Sequence, residues 1–281
     1  MDSTERARVR AREGDDEVER EDLLAVEEPL EIRIRAKEGG PVSSFVTTMR
    51  TPGNDEELAA GLLFAEGVLE GRSDLFGLER PADPRIDPDL KANVLVATLG
   101  SEAFARASKL QRGTVMGSAC GVCGKTSIEN VIPNDQPPLS CPLTVTPQVL
   151  YGLPGHLRER QSIFARTGGL HAAGLFSADG TLKEIREDIG RHNATDKLIG
   201  TFFQREELPL NEGILMASGR AGFEIVQKAF AAGIPVVASV SAPSSLAVAL
   251  AETAGVTLVG FLRDRRFNVY ANPQRVVAPG S

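Results

Sequence analysis

Glu31-Ile32-Arg33-Ile34-Arg35 alternates polar and apolar side chains, which is the period of a half-buried strand. Glu38-Gly39-Gly40-Pro41 turns the chain and Ser44-Phe45-Val46-Thr47-Thr48-Met49 returns it, so the pattern predicts a hairpin with a longer loop. The period then becomes helical. Asn54 stands at a cap position with Glu57 behind it as in a capping box, and Leu58, Leu62, Ala65 and Leu69 share one face of a helix over 56–69. A further strand is expected over 93–99, after an irregular connection marked by Pro81, Pro84 and Pro88. Residues 147–159 read as a helix, and the runs 170–176 and 182–186 flank Ala178-Asp179-Gly180, a hairpin signal. Another helix begins near Asn193 with Leu198 and Phe202 on its buried face. The last third alternates strand (213–218), helix (223–232), strand (235–240), helix (to 254) and strand (256–261). Such a βαβαβ order predicts parallel strands with right-handed crossovers, and ligands of such sheets bind at the carboxyl ends of the strands.

Residues 1–22 break the pattern with charges of both signs and no apolar stretch. That composition predicts a disordered tail and is not that of a secretory signal, which carries an apolar segment. No apolar run reaches the ~18 residues of a membrane span. With 281 residues, 42% apolar and 25% charged, the chain reads as a soluble globular protein with room for one large or two modest domains. The absence of Trp, the two Tyr and the net charge of -7 argue against a nucleic-acid partner, which aromatic stacking and positive charge would favour. Three cysteines, an odd number, fit a reducing compartment, so a cytoplasmic location is expected.

The cysteines change the picture most. Cys120 and Cys123 lie in Gly117-Ser118-Ala119-Cys120-Gly121-Val122-Cys123-Gly124-Lys125, where glycine offers nothing to bury and Lys125 favours the reactive thiolate. The spacing suits a zinc half-site, a dithiol redox pair, a persulfide carrier or a plain turn. A zinc site needs two more ligands, and Cys141, His156, His171 and His192 supply no second pair at metal spacing, so no intrinsic metal is expected. The motif also lies mid-chain, outside the early βαβ context of thioredoxin-like pairs. Cys141, in a proline-rich stretch over 133–147, reads as a small, partly buried hydrophobe.

At the expected strand ends, Ser218-Gly219-Arg220 and Ser241-Ala242-Pro243-Ser244-Ser245 open helices, where free N–H groups and the helix dipole suit an anion. The same turns are also ordinary capping chemistry. Leu262-Arg263-Asp264-Arg265-Arg266, after Phe261, makes a basic spot at the same edge or a solvated turn. His192, in the polar-rich block 186–197, is a candidate general base or ligand, or a hydrogen-bonded structural residue.

Taken together, five blocks resemble the formate dehydrogenase accessory protein family, FdhD/NarQ. They are Met49-Arg50-Thr51-Pro52 with 57–63, Cys120-Gly121-Val122-Cys123-Gly124, Thr167-Gly168-Gly169-Leu170-His171, Asp188-Ile189-Gly190-Arg191-His192-Asn193-Ala194, and Ser218-Gly219-Arg220. The resemblance implies an α/β fold, a cytidine-deaminase-like mixed sheet with helices plus a smaller α+β N-terminal part. The expected division is a disordered tail (1–24), a small α+β domain (25–110), the C-x-x-C loop and proline-rich connection (111–145) and the α/β domain (146–281). It also implies a sulfur carrier. A cysteine desulfurase would supply sulfur as a persulfide on Cys120, with Cys123 as partner. The sulfur would pass to the molybdenum (or tungsten) bis-molybdopterin guanine dinucleotide of formate dehydrogenase. Phe261, Leu262, Arg263, Asp264, Arg265 and Arg266 would match the cofactor-binding segment, and the family assembles as a homodimer. The implied fold raises a zinc deaminase as an alternative, but His171-Ala172-Ala173 has Ala where the proton-moving Glu belongs. A chaperone holding the cofactor without covalent sulfur chemistry is the other alternative.

Overall fold

The structure, a computed structural model, describes residues 2–81, 87–112 and 137–278. An N-terminal sheet of four strands runs in the order β4-β3-β6-β5, built from β3 (Glu28–Ala36), β4 (Ser43–Arg50), β5 (Leu75–Glu79) and β6 (Val94–Leu99). β3 pairs antiparallel with β4 and parallel with β6, so the predicted hairpin is present with Ile32 opposite Val46. α1 (Asp55–Ala65) covers one face, where Leu30, Ile32 and Leu95 meet Leu58 and Ala59. α2 (Pro88–Lys91) is one turn, and α3 (Ser101–Arg112) packs Ala103 and Ala107 into a second cluster with Ile34, Phe45, Ala60 and Leu63.

α1 differs from its sequence reading at both ends. Asn54 is in the left-handed region (φ 56) and makes no side-chain cap, and the helix stops at Ala65, leaving Val68 and Leu69 buried beyond it. The capping box fails because Glu57 is taken by Arg186, at 2.5 Å (Nε to Oε2) and 2.8 Å (Nη2 to Oε1).

The C-terminal sheet has six strands in the order β12-β11-β10-β9-β7-β8. They are β7 (His171–Phe176), β8 (Leu182–Asp188), β9 (Ile214–Ala217), β10 (Val236–Ser239), β11 (Thr257–Arg263) and β12 (Arg266–Ala271). β9, β10 and β11 are parallel, as the βαβαβ order predicts, and antiparallel hairpins flank them. The mixed-sheet α/β class expected from the sequence is what the chain has. Each central strand is buried on both sides, with Ile214, Met216, Val236 and Ala238 facing α4 (Pro147–Arg160) and Leu215 and Val237 facing α6 (Arg191–Gln204), α7 (Phe223–Ala231) and α8 (Ser245–Ala254). That two-sided burial explains their continuous apolar runs. α5 (Ser162–Thr167) is a short helix before β7.

α1 and α6 join the two halves. A Cβ on Gly61 would stand 1.9 Å from the Asp196 carbonyl oxygen, and one on Gly200 would stand 1.9 Å from that of Glu57. Only glycine lets the backbones cross so closely. α6 is consequently buried all round from Asn193 to Phe203, not on the single face expected.

Residues 1–24 were expected to be disordered. The structure instead has a hairpin, β1 (Thr4–Glu13) with β2 (Asp16–Ala25), turning at Gly14 with φ 67. Register supplies the reason. Basic side chains of β1 face acidic ones of β2, giving pairs Arg6–Glu21 at 3.2 Å, Arg10–Glu19 at 3.5 Å and Arg12–Glu17 at 3.2 Å. Charge content alone does not reveal such pairing.

Candidate anion site at the strand ends

The polar block 186–197 divides into two environments. Asp188, fully buried, meets Lys197 Nζ at 2.7 Å and accepts from the Thr51 N–H at 3.2 Å, the Gly190 N–H at 2.8 Å and Asn193 Nδ2 at 3.0 Å. Lys197 also donates to the Thr51 carbonyl at 2.8 Å, and Asn193 donates to that of Met49 at 2.7 Å. Arg50, also fully buried, holds Asp55 through Nε at 2.9 Å and Nη2 at 3.1 Å, and donates to Asn93 Oδ1 at 2.9 Å. Burial alone would raise the Asp55 carboxyl, but Arg50 and Arg80 outweigh it and hold the pKa below its ordinary 3.8. The Met49-Arg50-Thr51-Pro52 and Asp188–Ala194 blocks are thus largely one interlock between the two halves.

The other part of the block faces the strand ends. α6 begins at Arg191, which brings its side chain to the turn after β9: a Cβ on Gly219 would lie 3.2 Å from His171 Nδ1 and 3.5 Å from Arg191 Cδ. Burial, and then the charge of Arg191, lower the His171 pKa from its ordinary 6.5, which favours the neutral imidazole. Ser218 is tied down, its hydroxyl accepting from the Ala172 N–H at 2.8 Å. His192 is engaged too, with Nδ1 3.2 Å from Glu224 Oε2 in the first turn of α7. Further along α6, burial pushes Asp196 up to about 6, where it meets Lys228 Nζ at 2.6 Å.

The remaining candidates follow along the same edge. Ser244 caps α8 itself, accepting from the Ala247 N–H at 3.2 Å, and its own N–H donates to Ala221 at 3.3 Å, which stitches the two turns together. The Phe261 N–H donates to the Ser241 carbonyl at 3.2 Å. Leu262 is core, whereas Arg263, Asp264, Arg265 and Arg266 are exposed on the β11–β12 hairpin, whose turn residues Asp264 and Arg265 have φ 50 and 57. Arg265 lies over the Tyr151 ring, 5.7 Å from its centroid. Arg220 is exposed.

Cys120 and Cys123 lie outside the described residues. Cys141 is half-buried against the α4-side core, as expected. Among the described residues no group of three or more His, Cys, Asp or Glu could hold a metal, and no helix is long and apolar enough to cross a membrane. The sequence reading singled out His192 and Arg220 at this edge, whereas His171 entered it through the rejected zinc and deaminase readings and Arg191 through its place in the Asp188–Ala194 block.

The FdhD/NarQ family model matches residues 25–277. A protein named Sulfur carrier protein FdhD from Streptomyces coelicolor is 48% identical over 276 residues, covering 97% of this chain and 95% of the relative. Its namesake from Mycobacterium tuberculosis is 46% identical over 278 residues, covering 98% and 99%, and one from Thermoplasma acidophilum is 41% identical over 261 residues, covering 92% and 89%. A crystal structure described as that of a formate dehydrogenase accessory protein from Desulfotalea psychrophila shares the fold, with a TM-score of 0.73 and 22% identity over 98% of this chain and 100% of that one.

Proposed function

We propose, from the premise that this chain belongs to the FdhD/NarQ family, that it is a sulfur carrier serving formate dehydrogenase. The observation that carries this reading is the glycine-framed Cys120-Gly121-Val122-Cys123-Gly124 in a chain matched nearly end to end by proteins named for sulfur carriage. In the proposed cycle the Cys120 thiolate attacks the outer sulfur of a desulfurase persulfide. The new bond makes a persulfide on Cys120, and the desulfurase cysteine leaves as a thiolate. Attack by the Cys123 thiolate on Cys120 Sγ then forms a Cys120–Cys123 disulfide and releases the carried sulfur as hydrosulfide, which the metal of the client cofactor takes up. An external dithiol reductant restores the pair. The client is the molybdenum or tungsten bis-molybdopterin guanine dinucleotide, bound as cargo. Its phosphates suit the edge formed by Ser218, Gly219, Arg220 and the Phe261–Arg266 segment, with His192 orienting the first turn of α7 through Glu224. The carrier acts as a homodimer in the cytoplasm.

Mass spectrometry after incubation with a cysteine desulfurase and cysteine tests the carrier step. A gain of one sulfur on Cys120, lost in Cys120→Ala, is expected. Cys120→Ala is also expected to abolish formate dehydrogenase activation, and Cys123→Ala to slow it. Full activation by Cys120→Ala would instead favour a chaperone that holds the cofactor without covalent chemistry.

A further inference from the structure

We propose that the outer edge of β1 is a docking edge, where an extended acidic segment of a partner protein adds as a third strand.

The direction of the backbone groups carries the argument. β1 and β2 form a sheet of two strands, so each presents an edge left unpaired among the described residues. Antiparallel residue pairs alternate between those that exchange hydrogen bonds and those that do not. At the foot of the hairpin the Val26 N–H donates to the Ser3 carbonyl at 3.0 Å, one step beyond the Thr4–Ala25 pair, which fixes the alternation. Odd-numbered residues of β1 therefore direct their N–H and C=O groups to β2, and those of Arg6, Arg8, Arg10 and Arg12 point outward. The four arginine side chains also share one face and are exposed. An incoming strand thus meets an arginine at each residue that offers it main-chain hydrogen bonds from Arg6 to Arg12.

Charge selects the occupant. On β2 the outward-directed Glu17, Glu19 and Glu21 are engaged by Arg12, Arg10 and Arg6. Arg8 alone of the four arginines meets no carboxylate among the described residues. The uncompensated charge is therefore positive and lies on the β1 edge, which suits an acidic strand. A second copy of this chain does not fit, because antiparallel pairing of β1 with its copy sets arginine beside arginine, and pairing of β2 with its copy sets glutamate beside glutamate. A two-stranded ribbon is marginal in water, and a third strand adds main-chain hydrogen bonds to it. The foot of the ribbon stands close to the start of β7: a Cβ on Gly169 would lie 3.4 Å from Ala25 Cβ.

Fluorescence anisotropy with short labelled peptides, one alternating Thr and Glu and one alternating Thr and Lys, tests the edge. The full chain is expected to bind the Thr-Glu peptide in preference to the Thr-Lys peptide, more weakly as salt rises. Arg8→Thr removes only charge and should weaken binding about two- to fivefold. Arg8→Pro also removes an outward N–H, which the ladder to β2 does not use, and should weaken it roughly tenfold or more. Equal losses in the two variants overturn strand addition. So do failure to bind the Thr-Glu peptide, tighter binding of the Thr-Lys peptide, and undiminished binding by a chain lacking residues 1–25. Should Arg8→Pro unfold the hairpin, amide hydrogen exchange of wild type decides. The Thr-Glu peptide should slow exchange severalfold at Arg6, Arg8, Arg10 and Arg12, and unchanged exchange there overturns the proposal.

Discussion

The interlock and the strand-end turn lie side by side at the start of α6, yet they differ in how their polar groups are used. Around Asp188 and Arg50 the charges are buried and closely paired, and the partners come from both halves of the chain. At Arg191, by contrast, the buried Nε meets no acceptor among the described residues. Both environments come from one short block, so a dense polar motif does not mark a single role. Asp188, Asn193 and Lys197 hold the two halves in register, while among the described residues Arg191 takes no part in that network. A buried charge with every partner present contributes to architecture; one without a partner carries an uncompensated desolvation cost.

Substitutions should separate the two environments. The largest effect is expected at the helix crossing. Gly200→Val would drive a branched side chain into the Glu57 carbonyl, which a Cβ alone would approach to 1.9 Å. The halves should come apart, read as loss of the cooperative melting transition. Lys197→Met strands Asp188 as an unpaired buried carboxylate and should cost about 3–5 kcal/mol in denaturant unfolding. Arg191→Gln should do the reverse, leaving the melting point unchanged or higher because an orphaned buried donor is removed. A stability loss in Arg191→Gln matching that of Lys197→Met would erase the distinction.

Acid should act on the interlock. The folded Asp55 pKa lies below its unfolded 3.8, so its contribution is present above that value and is lost as pH falls below it. Stability measured across pH 5 to 3 should therefore drop in wild type, and Asp55→Asn should flatten part of that drop. The smallest effect is expected at the N-terminal hairpin, whose ion pairs are largely solvated, Arg10–Glu19 having side chains 73% and 76% exposed. Removing residues 1–25 should leave the main transition nearly where it was.

Sequence determined the features that depend on local period. The alternation at 31–35 became β3, the apolar runs near 214, 236 and 258 became parallel strands, and 147–159 became α4. Strands and helices that bury a face must repeat it, so the chain carries that record residue by residue. The cysteine pair and the five blocks likewise carried the family. Tertiary structure decided who meets whom. Glu57 looked like half of a capping box and instead holds Arg186 from the other half of the chain. The charged N-terminus became a hairpin once its signs fell opposite one another in register. Leu198 and Phe202 suggested a one-faced helix, but Gly61 and Gly200 let α1 close over it. Arg191 and His192, adjacent in sequence, part company: His192 meets an acid, Glu224, whereas Arg191 Nε meets no acceptor among the described residues. Hydrophobic burial repeats along the chain and is legible there, whereas the satisfaction of a polar group depends on partners that folding brings from far away.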